Sequence, residues 1–127
     1  MERKRVSTSA PWAEVVGYSR VVRAGHHVFV AGTAPMGEDG NVVAPGDAYQ
    51  QARRCLEIIV NALRDAGAGP EHVVRTRMFV KHPDMWEAVG RAHGEVFRDV
   101  RPATTMVFVD FIHPDMLVEI EADAVVD

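Results

Sequence analysis

Leu117-Val118-Glu119-Ile120-Glu121-Ala122-Asp123-Ala124-Val125-Val126 alternates apolar and polar residues with period two. In a strand, that spacing turns Val118, Ile120, Ala122, Ala124 and Val126 to one face and Glu119, Glu121 and Asp123 to the other. The pattern predicts a terminal strand with an apolar side and a row of carboxylates. Such a row is a solvated face, an ion-paired face or the acid side of a cleft. Upstream, Arg101-Pro102-Ala103-Thr104-Thr105-Met106-Val107 opens another β-prone stretch, read as a strand over Thr104 to Asp110.

Further back, Val73 to Val80 also reads as a strand, with Val74, Thr76, Met78 and Val80 on one face and Val73, Arg75, Arg77 and Phe79 on the other. Ser19 to Arg23 and His27 to Ala31, joined through Ala24-Gly25-His26, have the form of a hairpin. Asn41 to Val43 is read as a minor strand. Between these lie two amphipathic helices. The first starts at Asp47, with Gln50 in the capping-box position, presents Ala48, Ala52, Leu56, Ile59, Leu63 and Ala66 as a stripe, and ends at Gly67. Gln51 and several charged residues fill its other face, and Cys55 beside the stripe is read as a buried, inert thiol. The second is read as capped by Asp84 with Glu87, its stripe being Trp86, Val89, His93, Val96 and Phe97. Trp86 and Met78 are assigned to the core.

The predicted order is β-β-α-β-α-β-β, an α+β domain with both helices on one face of a mixed sheet. Two helices leave the opposite face of the sheet bare, and that face would carry Arg75, Arg77, Phe79, Glu119, Glu121 and Asp123. Large apolar groups mixed with charge there favour a partner subunit over water.

The chain has 127 residues, 47% of them hydrophobic, which suits one domain over 1–127 with residues 1–17 as a solvated lead-in. Lys and Arg number 14 against 18 Asp and Glu, a net charge of −4. That balance gives no basic footprint for a polyanion, so nucleic acid is not an expected partner. One cysteine, no leader and no long apolar run predict a soluble, cytoplasmic protein with no membrane partner.

In order and spacing, Gly17-Tyr18-Ser19, Val28-Phe29-Val30-Ala31-Gly32-Thr33-Ala34-Pro35, Val73 to Val80, Arg101-Pro102-Ala103-Thr104 and Val118 to Ala122 resemble the RidA (YjgF) family. The similarity runs from about Tyr18 to Val126. It implies a chorismate-mutase-like fold, a homotrimer with a central barrel, and three clefts between neighbouring subunits. It also implies hydrolysis of small enamines and imines to 2-oxo acids and ammonia, with no metal or organic cofactor.

By the same resemblance, Tyr18 is the cleft tyrosine, Gly32 the glycine bordering the ligand, with Thr33 beside it, and Glu119 the residue that positions water or shuttles a proton. Three positions depart from the family pattern. Thr104 stands where the deaminating branch has a carboxylate-clamping arginine, Met106 where it has a cysteine, and Gly90 where it has an asparagine. Tyr18, Gly32, Thr33, Gly90, Thr104 and Met106 are therefore the expected small-molecule shell around Glu119. A neutral threonine in place of a guanidinium removes a bidentate anchor worth on the order of 2 to 5 kcal/mol to a carboxylate. Either Arg20 or Arg101 takes that role, or the ligand is neutral in a wider, more apolar pocket.

Plain structural readings stand beside these. Glu119 reads equally as one half of a cross-strand ion pair with Arg75 or Arg77, worth roughly 0.2 to 1 kcal/mol. Tyr18 is equally an aromatic flanking the first strand. His93 reads as a packed or singly hydrogen-bonded core histidine and His113 as an exposed one. Neighbouring carboxylates on one strand face lie about 7 Å apart, and no His or Cys spacing suits zinc, so no metal site is expected. Three functions follow in order: a RidA-type hydrolase or deaminase, a non-catalytic metabolite-binding or proteostatic trimer, and an endoribonuclease.

Overall fold

The acidic strand over Val118–Val125 lies inside a six-stranded sheet, flanked on both sides, in a computed structural model that describes residues 1–127. In chain order the elements are β1 (Arg3–Val6), α1 (Ala13–Val16), β2 (Val21–Ala24), β3 (His27–Thr33), α2 (Ala48–Asp65), β4 (Val73–Val80), α3 (Trp86–Phe97), β5 (Ala103–Phe108) and β6 (Val118–Val125). The sheet order is β1-β2-β3-β6-β4-β5. Only β4 and β5 run parallel, and α3 supplies the crossover that a parallel pair requires. This is the expected α+β architecture with a mixed sheet.

The core forms where α2 and α3 cover one sheet face. Leu56, Ile59 and Leu63 of α2 and Val89 and Phe97 of α3 meet Val28, Val30, Val80, Val118 and Ile120, all essentially excluded from solvent. The capping of α2 follows the sequence: Asp47 accepts from the Gln50 amide at 3.0 Å, and Gly67 follows the last turn at a φ of +78°. On the opposite face the expected row is present. Arg75 pairs in register with Asp123, Arg77 with Glu121 and Phe79 with Glu119, while Phe29 and Val107 remain 47% and 41% exposed.

Several expectations are corrected. The lead-in is not merely solvated, because Arg3–Val6 adds an edge strand to β2 and Lys4 Nζ donates to the Asp65 carbonyl at the end of α2, 2.6 Å away. Basic residues along an unpaired edge hide the period-two signal while blocking further pairing. Val73 is buried and Val74 exposed, the reverse of simple alternation, because the register of β4 against β6 shifts between Val73 and Arg75. The extra bulged residue moves one side chain to the other face. Residues 41–43 form no strand, only a single bridge from Val42 to Met36.

Asp84 does not cap α3. Pro83 starts a 3-10 turn over Pro83–Met85 that leads straight into the helix, whose N-cap is Met85 with no side-chain bond. Trp86, the first residue of α3, is 55% exposed rather than core. Gln51, placed on the polar face by its type, is fully buried. Its Nε2 donates to the Asp115 carbonyl at 2.9 Å and its Oε1 accepts from the Leu117 amide at 2.9 Å, tying α2 to the entry of β6.

Candidate functional site

Glu119 opens the carboxylate row, and the local backbone sets it apart from the other two acids. Between Val30 and Thr33 the register of β3 against β6 shifts by one residue, so Ala31 and Gly32 together oppose a single position of β6. The Glu119 carboxylate lies over the gap that Gly32 leaves. A Cβ built on Gly32 would come 2.7 Å from Glu119 Oε1, so the absence of a side chain there is what admits the carboxylate.

Glu119 has no ion-pair partner. Of the two arginines the plain reading offers to Glu119, Arg77 pairs instead with Glu121 at 3.1 Å and Asp123 at 3.4 Å, and Arg75 lies opposite Asp123 in the register. Burial raises the Glu119 pKa above the ordinary carboxylate value, the negative charge of Glu121 adds to the rise, and the nearby Arg20 partly opposes it. The remaining two acids of the row are thus charge-compensated, while Glu119 is held toward its protonated form.

The carboxylate faces a cavity of about 540 Å³. Its walls come from residues 7–12, Tyr18 and Arg20 before β2, Gly32 at the end of β3, the loop from Ala34 to Gly40, and Arg54 and Ile58 of α2. Arg20 Nη1 donates to Thr33 Oγ1 at 2.9 Å and to the Gly32 carbonyl at 3.3 Å, and its Nη2 donates to Thr8 Oγ1 at 3.3 Å. Thr33 is fully buried and points inward, accepting from Arg20 and donating to the Ala31 carbonyl at 2.8 Å. Its hydroxyl therefore braces the wall instead of lining the cavity.

Tyr18, Gly32 and Glu119 are brought together; Gly90, Thr104 and Met106 are not part of that lining. They lie on α3 and on the edge strand β5, with β4 between β5 and β6. Gly90 faces open space, and Met106 packs half-buried against the core. Thr104 Oγ1 donates to the Pro102 carbonyl at 3.0 Å and lies 2.8 Å from Thr76 Oγ1, which is itself 2.8 Å from His93 Nε2. With the Thr104 proton given to Pro102, Thr76 donates to Thr104 and His93 Nε2–H donates to Thr76. Burial lowers the His93 pKa and favours the neutral ring that this chain of bonds uses. Arg101, at a left-handed φ of +55°, lines a small hollow with His93 and Arg98, away from Glu119.

Residues 7–12 and the loop from Ala34 to Gly40 escaped the sequence reading, since neither carries periodicity or a motif. A larger hollow of about 870 Å³ runs between α2 and α3 on the outer surface. Within it Tyr49 donates to Glu95 at 2.7 Å and Arg54 pairs with Glu57, and beside it the Arg91 guanidinium lies 4.4 Å from the Tyr49 ring centre. Cys55 is buried, and burial pushes its thiol pKa up, as an inert core cysteine requires. No helix is long and apolar enough to cross a membrane.

Residues 7–126 match the sequence profile of the family described as endoribonuclease L-PSP. An uncharacterized protein of Streptomyces coelicolor is 41% identical over 122 residues, covering 95% of this chain and 90% of that protein. The 3-aminoacrylate deaminase RutC of Acinetobacter baylyi is 34% identical over 107 residues, covering 84% of this chain and 85% of the enzyme. Among solved structures, a YjgF-family protein of Mycobacterium tuberculosis superposes with a TM-score of 0.88 at 44% identity, over 98% of this chain and all of the other.

Proposed function

The chain belongs to the RidA (YjgF) family, and from that premise we propose that it hydrolyses a small imine or enamine at the Glu119 cavity. The observation that carries the proposal is an unpaired, half-buried carboxyl, set over Gly32 and raised in pKa, at the wall of a cavity of substrate size. A 3-aminoacrylate deaminase among the relatives supports the reaction class.

The chemistry needs one group that gives and takes a proton in turn. Protonated Glu119 donates to the enamine carbon or imine nitrogen, and the iminium that results is open to attack at carbon. The carboxylate left behind accepts a proton from the attacking water as the C–O bond forms. Returning that proton to nitrogen breaks the C–N bond and releases ammonia, while Glu119 takes up the proton of the new hydroxyl, which leaves a carbonyl product and restores the acid. A pKa raised by burial above the ordinary carboxylate value eases access to the protonated form that the first half of the cycle uses.

The cavity on one protomer is open, and we place its completion in a homotrimer. The bare sheet face, with Phe29, Phe79 and Val107 among paired charges, is the surface on which a second copy would rest. Thr104, Met106 and Gly90 would then reach a neighbour's Glu119 from the opposite flank.

The test is ammonia release from imines generated in place by an amino-acid oxidase. Wild type is expected to accelerate release, and Glu119→Gln to lose at least about 100-fold of the acceleration. Full activity in Glu119→Gln would remove that residue from the mechanism. Ligand binding without turnover in both proteins would instead favour a non-catalytic metabolite binder.

A further inference from the structure

The family's carboxylate clamp is missing at Thr104, yet the Glu119 cavity contains a cation of its own just before β2. Arg20 lines the same wall as Glu119, and every acceptor it uses is neutral: Thr33 Oγ1, the Gly32 carbonyl and Thr8 Oγ1. No carboxylate comes within ion-pair distance of its guanidinium, and the ion pairs of the chain are made by Arg54, His72 and Arg77.

A guanidinium carries five N–H donors. The contacts at Thr33, Gly32 and Thr8 occupy both Nη1 protons and one Nη2 proton, which leaves Nε–H and a second Nη2–H without a partner. Nε–H and an Nη2–H are the two donors that a guanidinium can present side-on to a carboxylate through two parallel bonds. The braces hold the plane of the guanidinium still, so little rotamer entropy remains to be lost when an anion arrives.

We infer that Arg20 is the specificity-determining residue of the Glu119 cavity, binding the carboxylate of a small anionic imine or its 2-oxo acid product in place of the arginine absent at Thr104. The inference rests on the proposed hydrolase reading for the identity of the ligand, but the binding step stands on geometry alone. It also reverses the alternative of a neutral ligand in a more apolar pocket. The Thr104 hydroxyl does not take over the task, being bonded to Pro102 and Thr76.

The probes are pyruvate and its neutral isostere pyruvamide, titrated into the assembled protein and followed by calorimetry. Wild type should prefer pyruvate, and Arg20→Met should weaken pyruvate by about 10- to 100-fold while leaving pyruvamide within about twofold. Arg20→Lys, which retains charge without the fork, should recover part of the loss. Because Arg20 braces the wall, Arg20→Met can fail to fold. The wild-type Arg20 Nε–H resonance then decides: it should shift on adding pyruvate and not on adding pyruvamide.

An unmoved resonance, or an undiminished preference for pyruvate in folded Arg20→Met, overturns the assignment and leaves the role of Glu119 intact. Glu119→Gln should still bind pyruvate. If wild type binds pyruvate but releases no ammonia from any imine, the hydrolase reading fails and the Arg20 assignment survives it.

Discussion

Gly32 and Glu119 are fitted to one another, and the fit is one of space, not of backbone angle. A methyl group at Gly32 would stand 2.7 Å from Glu119 Oε1, so the carboxylate must swing away. Because the displaced atom is the free end of a flexible side chain, Gly32→Ala should change the unfolding free energy by less than about 1 kcal/mol. Turnover should nevertheless fall on the order of 10- to 100-fold, since the acid leaves its position. Paired denaturation and ammonia-release measurements check the two halves of that prediction. The raised Glu119 pKa has its own signature in stability. A carboxyl whose folded pKa exceeds its unfolded one contributes stability that is complete below the unfolded value and lost as pH rises through the folded value. Glu119→Gln should therefore melt higher than wild type near about pH 7, and the difference should close near about pH 3. A variant that melts lower at neutral pH would contradict the desolvated carboxyl.

At the scale of elements, the two helices test what a capping signal means. Asp47 accepts from the Gln50 amide, so Asp47→Ala should cost about 1 kcal/mol, whereas Asp84→Ala, which removes no cap, should cost less than about 0.5 kcal/mol. Urea midpoints of the two variants give the comparison. Gln51→Leu should be the more damaging change, at about 2 kcal/mol or more, because it strands the buried Leu117 amide and frees the Asp115 carbonyl from α2. These contrasts show how far the sequence could be read. Period-two and 3.6-residue patterns located β4, β5, β6 and both long helices because burial selects side chains by face. They failed where one residue changes the count, as at Val73-Val74, or where a proline-led turn takes over a helix start, as at Pro83. Gln51 was misplaced because a fully satisfied buried amide looks polar until its partners are seen. Ala31-Gly32 contains no sign of its bulge, so the closeness of Gly32 to Glu119 could be expected from the resemblance but not from spacing.

For the whole molecule, the decisive feature is a sheet with helices on one face only. Phe29 and Val107 are 47% and 41% exposed on the other, beside Arg77, Glu121 and Asp123, which pair within the chain. Self-satisfied charges around exposed apolar groups suit a surface that meets its own copies. A charge buried without a partner at such a seam is costly, so Phe29→Glu should weaken assembly by at least about 3 kcal/mol while leaving the helix-side core untouched. Circular dichroism would then show a folded protein of reduced mass. The sequence pointed to this face through the polar side of β6, where Glu119, Glu121 and Asp123 alternate with buried apolar residues. The most direct test of the account is therefore sedimentation equilibrium of the wild-type chain at assay concentration. Three copies of the 14.0 kDa chain predict a single species of about 42 kDa carrying the imine-hydrolysing activity; an active species at 14.0 kDa would contradict the site between subunits.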